Sequence, residues 1–333
     1  LKIYRKEFIT PLRNNINIVE KLMCINKWDK INYEKVPAVA SKKLRNAFIK
    51  HDSERYEKYL KNVINGTQKI NVTGILPHEL VNYYLNNESA IDLTIESQWK
   101  TILDNIKSTC IFDSLIPIVD VSGSMFGATN GSIPAQVSIA LGILISQCTN
   151  NLFKNNVITF SEVPTFHKIT GESLYDQVNS IKKMDWGYNT NFESVAHIII
   201  DFAVKYGISD NDMPKKLVVL SDMQFDEAIN GDNNKELLYD TFKNIFINNN
   251  YTPPKIIYWN LNADNTNSFP VSFNQDGTAL ISGFSEQLLK IFMEYDDINP
   301  DIILEKILEK YIEDVFVDSN ELVSFSDYNI NKY

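Results

Sequence analysis

Apolar positions at helical spacing dominate the first hundred residues. Tyr4, Phe8, Leu12, Ile16, Val19 and Met23 recur every three or four positions, with Pro11 marking a break or kink. The same spacing predicts helices over 38–48, 53–63 and 96–107. Leu76-Pro77-His78-Glu79-Leu80 opens another, with proline at an early helical position. Strand signals are nearly absent here, so this part reads as all-helical. Near Ile111 the texture changes to short apolar runs between amphipathic stretches. Strands are predicted at 115–119, 157–160, 165–169, 217–220, 256–261 and 279–281. Helices are predicted at 135–147, 174–183, 192–206, 237–247, 285–293 and 302–316. Buried strands alternating with helices mean βαβ units and a doubly wound, mostly parallel sheet. Ligands bind such sheets at the carboxyl ends of strands, here after Val119, Phe160, Leu220 and Leu261.

The expected organisation is a basic helical region at 1–108, belonging to a larger helical domain, then an α/β domain at 109–320 and a tail at 321–333. Charge follows the same division. The first 70 of the 333 residues carry 16 Lys and Arg against 7 Asp and Glu, whereas the remainder carries 16 against 35. A basic front and an acidic back suggest two units with different partners, or two solvated faces. At 44% hydrophobic and 22% charged, the chain reads as globular. No apolar run reaches the roughly 18 residues of a membrane span, so no membrane insertion is expected. No signal-peptide pattern opens the sequence, and a first residue of Leu1 reads as a fragment. Cys24, Cys110 and Cys148 are too few and scattered for a disulfide framework or a zinc cage. They are expected to be buried small hydrophobes in an intracellular, cytoplasmic setting.

Two carboxylates, Asp120 and Asp222, stand at strand ends. Asp120 opens a hydroxyl-rich turn, Asp120-Val121-Ser122-Gly123-Ser124-Met125. If the loop leaves the strand extended, alternation sets Asp120, Ser122 and Ser124 on one side. Thr190, just before a predicted helix, offers a fourth oxygen. An all-oxygen set with few charges suits a hard divalent cation, Mg²⁺ or Mn²⁺, that keeps some waters. Asp226 and Glu193 lie nearby in the sequence as rim acids or solvated surface. Met125 and Phe126 either form an apolar rim or pack inward. The competing reading is a set of Asp and Ser caps around a βα turn.

These residues resemble the metal-ion-dependent adhesion site of von Willebrand factor A domains. That pattern is Asp-x-Ser-x-Ser after the first strand, a later Thr, and an Asp ending the fourth strand. Asp120, Ser122, Ser124, Thr190 and Asp222 match it in order. A wider series narrows the likeness: Tyr4-Arg5-Lys6, Pro11-Leu12-Arg13, Trp28, Val36-Pro37, His51-Asp52, Ser221-Asp222-Met223-Gln224-Phe225-Asp226, Tyr258-Trp259-Asn260 and Ser282-Gly283-Phe284-Ser285. Together these are similar to an uncharacterised family of plants, fungi and giant viruses. That family resembles the Ro (TROVE) ribonucleoproteins, with a helical region followed by a von Willebrand factor A domain. The Asn- and Ile-rich composition favours the giant-virus branch, hence a host cytoplasm or a virion.

The resemblance implies a Rossmann-like α/β fold and a non-catalytic role. A protein partner's acidic side chain would complete the metal's coordination. The alternative it implies is RNA binding by the basic helices, through Lys42, Lys43, Arg45, Lys50, Arg55, Lys58 and Lys61. Phe48, Tyr56 and Tyr59 would then stack on bases or belong to the core. Enzyme signatures are weak. Ser122 and Ser124 lack a Gly-x-Ser-x-Gly frame. His167 and His197 read as packing or surface residues. No P-loop or Gly-x-Gly-x-x-Gly fingerprint supports a nucleotide cofactor. Metal-assisted hydrolysis by Asp120 and Asp222 lacks a positioned base.

Overall fold

The computed structural model describes residues 2–15, 18–87, 90–109, 114–126, 134–149, 152–160, 163–184, 192–222, 232–262, 277–283 and 308. The predicted helices at 285–293 and 302–316 and the tail at 321–333 lie outside the described residues, as do Cys110, Thr190 and Asp226. Contacts group the chain into Leu1–Phe284 and Ser285–Tyr333. Leu308 apart, the described residues all fall in the first of these units.

The chain opens with α1 (Lys2–Tyr4), a π-helical turn (Arg5–Ile9) and α2 (Thr10–Asn15). Pro11 therefore widens a turn rather than ending the helix. Its ring crowds the carbonyl four residues back. The π turn relieves this, because Thr10 N–H reaches Arg5 O, and Thr10 Oγ1 donates to the same oxygen at 2.8 Å. After α3 (Val19–Cys24) comes α4 (Ala38–Ile64), which runs through both helices predicted at 38–48 and 53–63. It breaks at Asp52 (φ −151°, ψ 42°). The Asp52 carboxylate accepts bonds from Tyr33 Oη at 2.6 Å and Arg55 Nε at 2.9 Å. Helices α5 (Pro77–Asn86), with proline in its first turn, and α6 (Leu93–Thr109) complete this part. Its core gathers Tyr33, Phe48, Tyr56, Tyr59, Leu60 and Val63.

The α/β part contains β1 (Leu115–Val119), α7 (Pro134–Cys148), β2 (Asn156–Thr159), β3 (Phe166–Lys168), α8 (Leu174–Ile181), α9 (Phe192–Tyr206), β4 (Lys216–Ser221), α10 (Asp232–Asn248), β5 (Lys255–Asn260) and β6 (Thr278–Ser282). The six strands lie in the order β3-β2-β1-β4-β5-β6. All neighbours are parallel except the β2–β3 pair at one edge. The doubly wound, mostly parallel sheet that the alternating pattern predicts is present. One face, with Ile116, Ile118, Leu217, Val219 and Tyr258, packs on Val195 and Ile199 of α9 and Phe242 and Phe246 of α10. Helix α7 covers the other face. Gly142 lets it approach closely, since a Cβ there would lie 2.5 Å from Val119 Cγ2.

Every residue of α7 is buried. The sheet accounts for one side of it; α5 and α6 cover the other. A helix buried all round, mostly apolar with a few polar side chains, is the pattern for an element enclosed on both sides. Polar contacts cross this seam: Gln136 Nε2 donates to Asn82 Oδ1 at 2.8 Å, and Lys182 Nζ to Tyr84 O at 3.2 Å. The Tyr84 and Tyr175 rings meet edge-on with centroids 5.4 Å apart.

Candidate functional site

Strands β1 and β4 are parallel, with Val119 opposite Leu220. The residues one step on, Asp120 and Ser221, are therefore neighbours at the sheet's carboxyl edge. The ladder carries past the strands: Asp120 N–H donates to Leu220 O at 3.1 Å, and Leu261 N–H to Ser221 O at 2.9 Å. Ser221 Oγ donates to Asp120 Oδ2 at 2.5 Å, and Ser122 N–H to Asp120 Oδ1 at 2.9 Å. The second bond is an Asx-type turn, which sends the chain off the strand.

Beyond Ser122 the chain coils. Gly123–Phe126 is a single 3₁₀ turn, and Met125 N–H closes on Ser122 O at 3.1 Å. This corrects the expected extended loop, because in a coiled turn simple alternation no longer decides which side each hydroxyl faces. The Ser124 side chain lies outside the described residues. Met125 is buried and Phe126 is exposed, so the pair divides between the two readings.

Asp120 is 2% exposed and Asp222 is fully buried. Burial pushes the Asp120 carboxyl up to about 6, from 3.8. The bonds from Ser221 and Ser122 pull it back down, and the negative charge of Asp222 adds to the rise. The surroundings of Asp120 are thus hydroxyls, an amide and a second carboxylate. Apart from the Ser122 amide, which only donates, the set is all oxygen and anionic, the donor chemistry of a hard cation. Among the described residues no group of three or more His, Cys, Asp or Glu converges for a metal. The same edge continues on β5, where Asn260 Oδ1 accepts Asn262 N–H at 2.9 Å.

Other candidates fall elsewhere. Glu193 is exposed in the first turn of α9, its Oε1 3.9 Å from His197 Nε2. His167 Nε2 lies 3.0 Å from Ser180 Oγ, and burial lowers its pKa. Cys148 is buried as expected, but Cys24, at the end of α3, is exposed. Three of the seven basic candidates hold internal structure. Lys42 pairs with Glu79 at 2.7 Å. Arg45 pairs with Asp92 at 2.6 Å and lies over the Tyr83 ring. Arg55 binds Asp52, Ile31 O and Trp28 O and lies over the Tyr33 ring. Lys43, Lys50, Lys58 and Lys61 are exposed, with Lys61 3.9 Å from Glu57. Phe48, Tyr56 and Tyr59 are buried in the helical core rather than offered to bases.

Two contacts of buried carboxylates escape a sequence reading. Ser221 holds Asp120, and only the β1–β4 register reveals the pairing. Glu96, from α6, accepts Leu174 N–H at 2.8 Å and Tyr175 N–H at 3.1 Å. It therefore caps the start of α8 from 78 residues away in the chain.

A doubly wound sheet with Asp120 and Asp222 at neighbouring strand ends, behind a helical segment, defines a Rossmann-like α/β domain. A profile for the domain of unknown function DUF7788 matches residues 114–321, and one for the domain of unknown function DUF2828 matches residues 1–111. The chain belongs to the DUF7788 family. It is 36% identical over 345 residues to the uncharacterized protein L728 of Acanthamoeba polyphaga mimivirus, covering 99% of this chain and 59% of that protein. The chain thus spans about three-fifths of the length of this curated relative. Among solved structures, the Ro (RSR) protein of Deinococcus radiodurans aligns with 13% identity and a TM-score of 0.41, over 69% of this chain and 50% of that one. The SpRpn10 VWA domain aligns with 17% identity and a TM-score of 0.31, over 54% of this chain and 93% of that one. Among the described residues no helix is long and apolar enough to cross a membrane.

Proposed function

We propose that this protein is a non-catalytic binding module that engages a protein partner through a divalent cation. The observation that carries the reading is the buried carboxylate pair Asp120 and Asp222, with Asp120 held by Ser221 and the Ser122 amide. Asp120, Ser122 and Asp222, with Ser124 and Thr190 from the sequence pattern, would hold Mg²⁺ or Mn²⁺. Few protein charges on such an ion leave it electrophilic, so an acidic side chain of the partner can complete its coordination. Burial excludes water and strengthens that contact.

Calorimetric titration of Mg²⁺ and Mn²⁺ into metal-stripped protein, beside Asp120→Ala, tests the reading. Saturable binding in the wild type and none in the variant is the expected result. Equal heats from both proteins would place any cation elsewhere and sink it.

A further inference from the structure

Strand β5 ends on Tyr258-Trp259-Asn260. Ser221 and Asn260 lie opposite one another, each the last residue of its strand, so their side chains stand on one face of the sheet. Ser221 in turn reaches Asp120. Asp120, Ser221 and Asn260 therefore form one row across the neighbouring ends of β1, β4 and β5, in steps of about 4.8 Å. The backbone pins the last member of the row. Leu261 N–H donates to Ser221 O at 2.9 Å, and Gly283 N–H donates to Asn260 O at 3.2 Å. Trp259 and Leu261, on either side of it, are fully buried.

Strands β1 and β5 end alike. Asp120 Oδ1 accepts the N–H of Ser122, two residues on, and Asn260 Oδ1 accepts the N–H of Asn262, two residues on. The remaining atoms differ. Asp120 Oδ2 is an acceptor held by Ser221, whereas Asn260 Nδ2 carries two donors. The amide cannot turn round without setting its own N–H groups against that of Asn262. Among the described residues nothing accepts from Asn260 Nδ2, and it is not one of the sealed, unsatisfied side-chain atoms. Asn260 as a whole is 6% exposed. A donor so placed asks for an acceptor, and it cannot be a cation's ligand, because it has no lone pair to give. We propose, resting on the cation reading above, that Asn260 binds the partner rather than the ion: one oxygen of the partner's carboxylate meets the cation and the other accepts from Asn260 Nδ2. Both contacts favour a negatively charged oxygen. A neutral amide giving its oxygen to the cation would turn its own N–H groups toward Nδ2, so Asn260 selects Asp or Glu over Asn or Gln.

The test follows the Asn260 side-chain amide in ¹⁵N spectra of the full chain, assigned through Asn260→Asp. Mg²⁺ and acetate are the probes, and acetamide is the neutral match. With Mg²⁺ saturating, acetate should shift the Asn260 amide saturably, and acetamide should not. Without Mg²⁺ the acetate shift should vanish. Asn260→Ser and Asn260→Asp both keep an acceptor for Asn262 N–H; the first deletes the donor and the second replaces it with a charged acceptor. Both variants should still bind Mg²⁺. Followed at the Ser122 amide, acetate should weaken by roughly tenfold in Asn260→Ser and by more in Asn260→Asp. Wild type without saturable Mg²⁺ heat would sink the cation reading and this inference with it. Mg²⁺ binding with an Asn260 amide that acetate does not move would overturn this inference alone. So would acetate affinity undiminished in both variants.

Discussion

Glu96 at the seam and Asp120 at the sheet's carboxyl edge are both withdrawn from water, but their neighbours differ. Glu96 faces two backbone amides at the start of α8, and both its oxygens are used. Asp120 faces one amide, one serine hydroxyl and the charge of Asp222. The first carboxylate completes a helix end and belongs to the architecture. The second is crowded by a like charge, which a cation would relieve. Neither burial nor a nearby like charge marks a binding residue by itself, since Asp176 also raises the Glu96 pKa; what separates the two is the helix start that Glu96 closes.

Removing each carboxylate should push stability in different directions. Glu96→Ala strands two amides at a buried helix start, and urea unfolding should show a loss of about 4 kcal/mol. An unchanged midpoint would erase the contrast.

Asp120 should respond to pH instead. Its folded pKa lies above the unfolded one, so the native state holds the proton more tightly. Its stabilising contribution is full below about 4 and is lost as pH rises through about 6. Metal-free wild type should lose roughly 3 kcal/mol across that window relative to Asp120→Asn. Parallel pH profiles of the two proteins would contradict this.

Mg²⁺ should reverse that loss at pH 7. At a hundredfold excess over Kd it should add about 2.7 kcal/mol to the wild type and nothing to Asp120→Asn, read as a thermal shift. EDTA should return the wild type to its starting midpoint.

The smallest effect belongs to the basic helices. Lys61→Ala breaks only an exposed pair with Glu57, and its unfolding midpoint should move by at most about 0.5 kcal/mol. A much larger loss would show that this surface is structural too.

Local chemistry explains what the sequence disclosed. The parallel strands were legible because each is built around a short apolar run, and those that carry the site end on Asp120 and on Ser221-Asp222. Pairing was not legible. Ser221 reads as one serine among many until β4 lies beside β1. The division between the helices predicted at 38–48 and 53–63 was legible, and it falls at the kink at Asp52. Lys42, Arg45 and Arg55 look like free positive charge because Glu79, Asp92 and the carbonyls of Trp28 and Ile31 come from other elements. Cys24 followed composition statistics to the wrong side of the surface. Phe48, Tyr56 and Tyr59 alternate with lysines in sequence but turn inward, since aromatic area is worth more in a core than in water.

Helix α7 gives the molecule a shared wall. Two family profiles meet between residues 111 and 114, yet the helix beyond that boundary is roofed by the segment that precedes it. Cutting the gene at the boundary would leave α7 with a bare apolar flank and the first segment with nothing to rest on. The modules are separable as text and joined as matter, so each half inherits its solubility from the other.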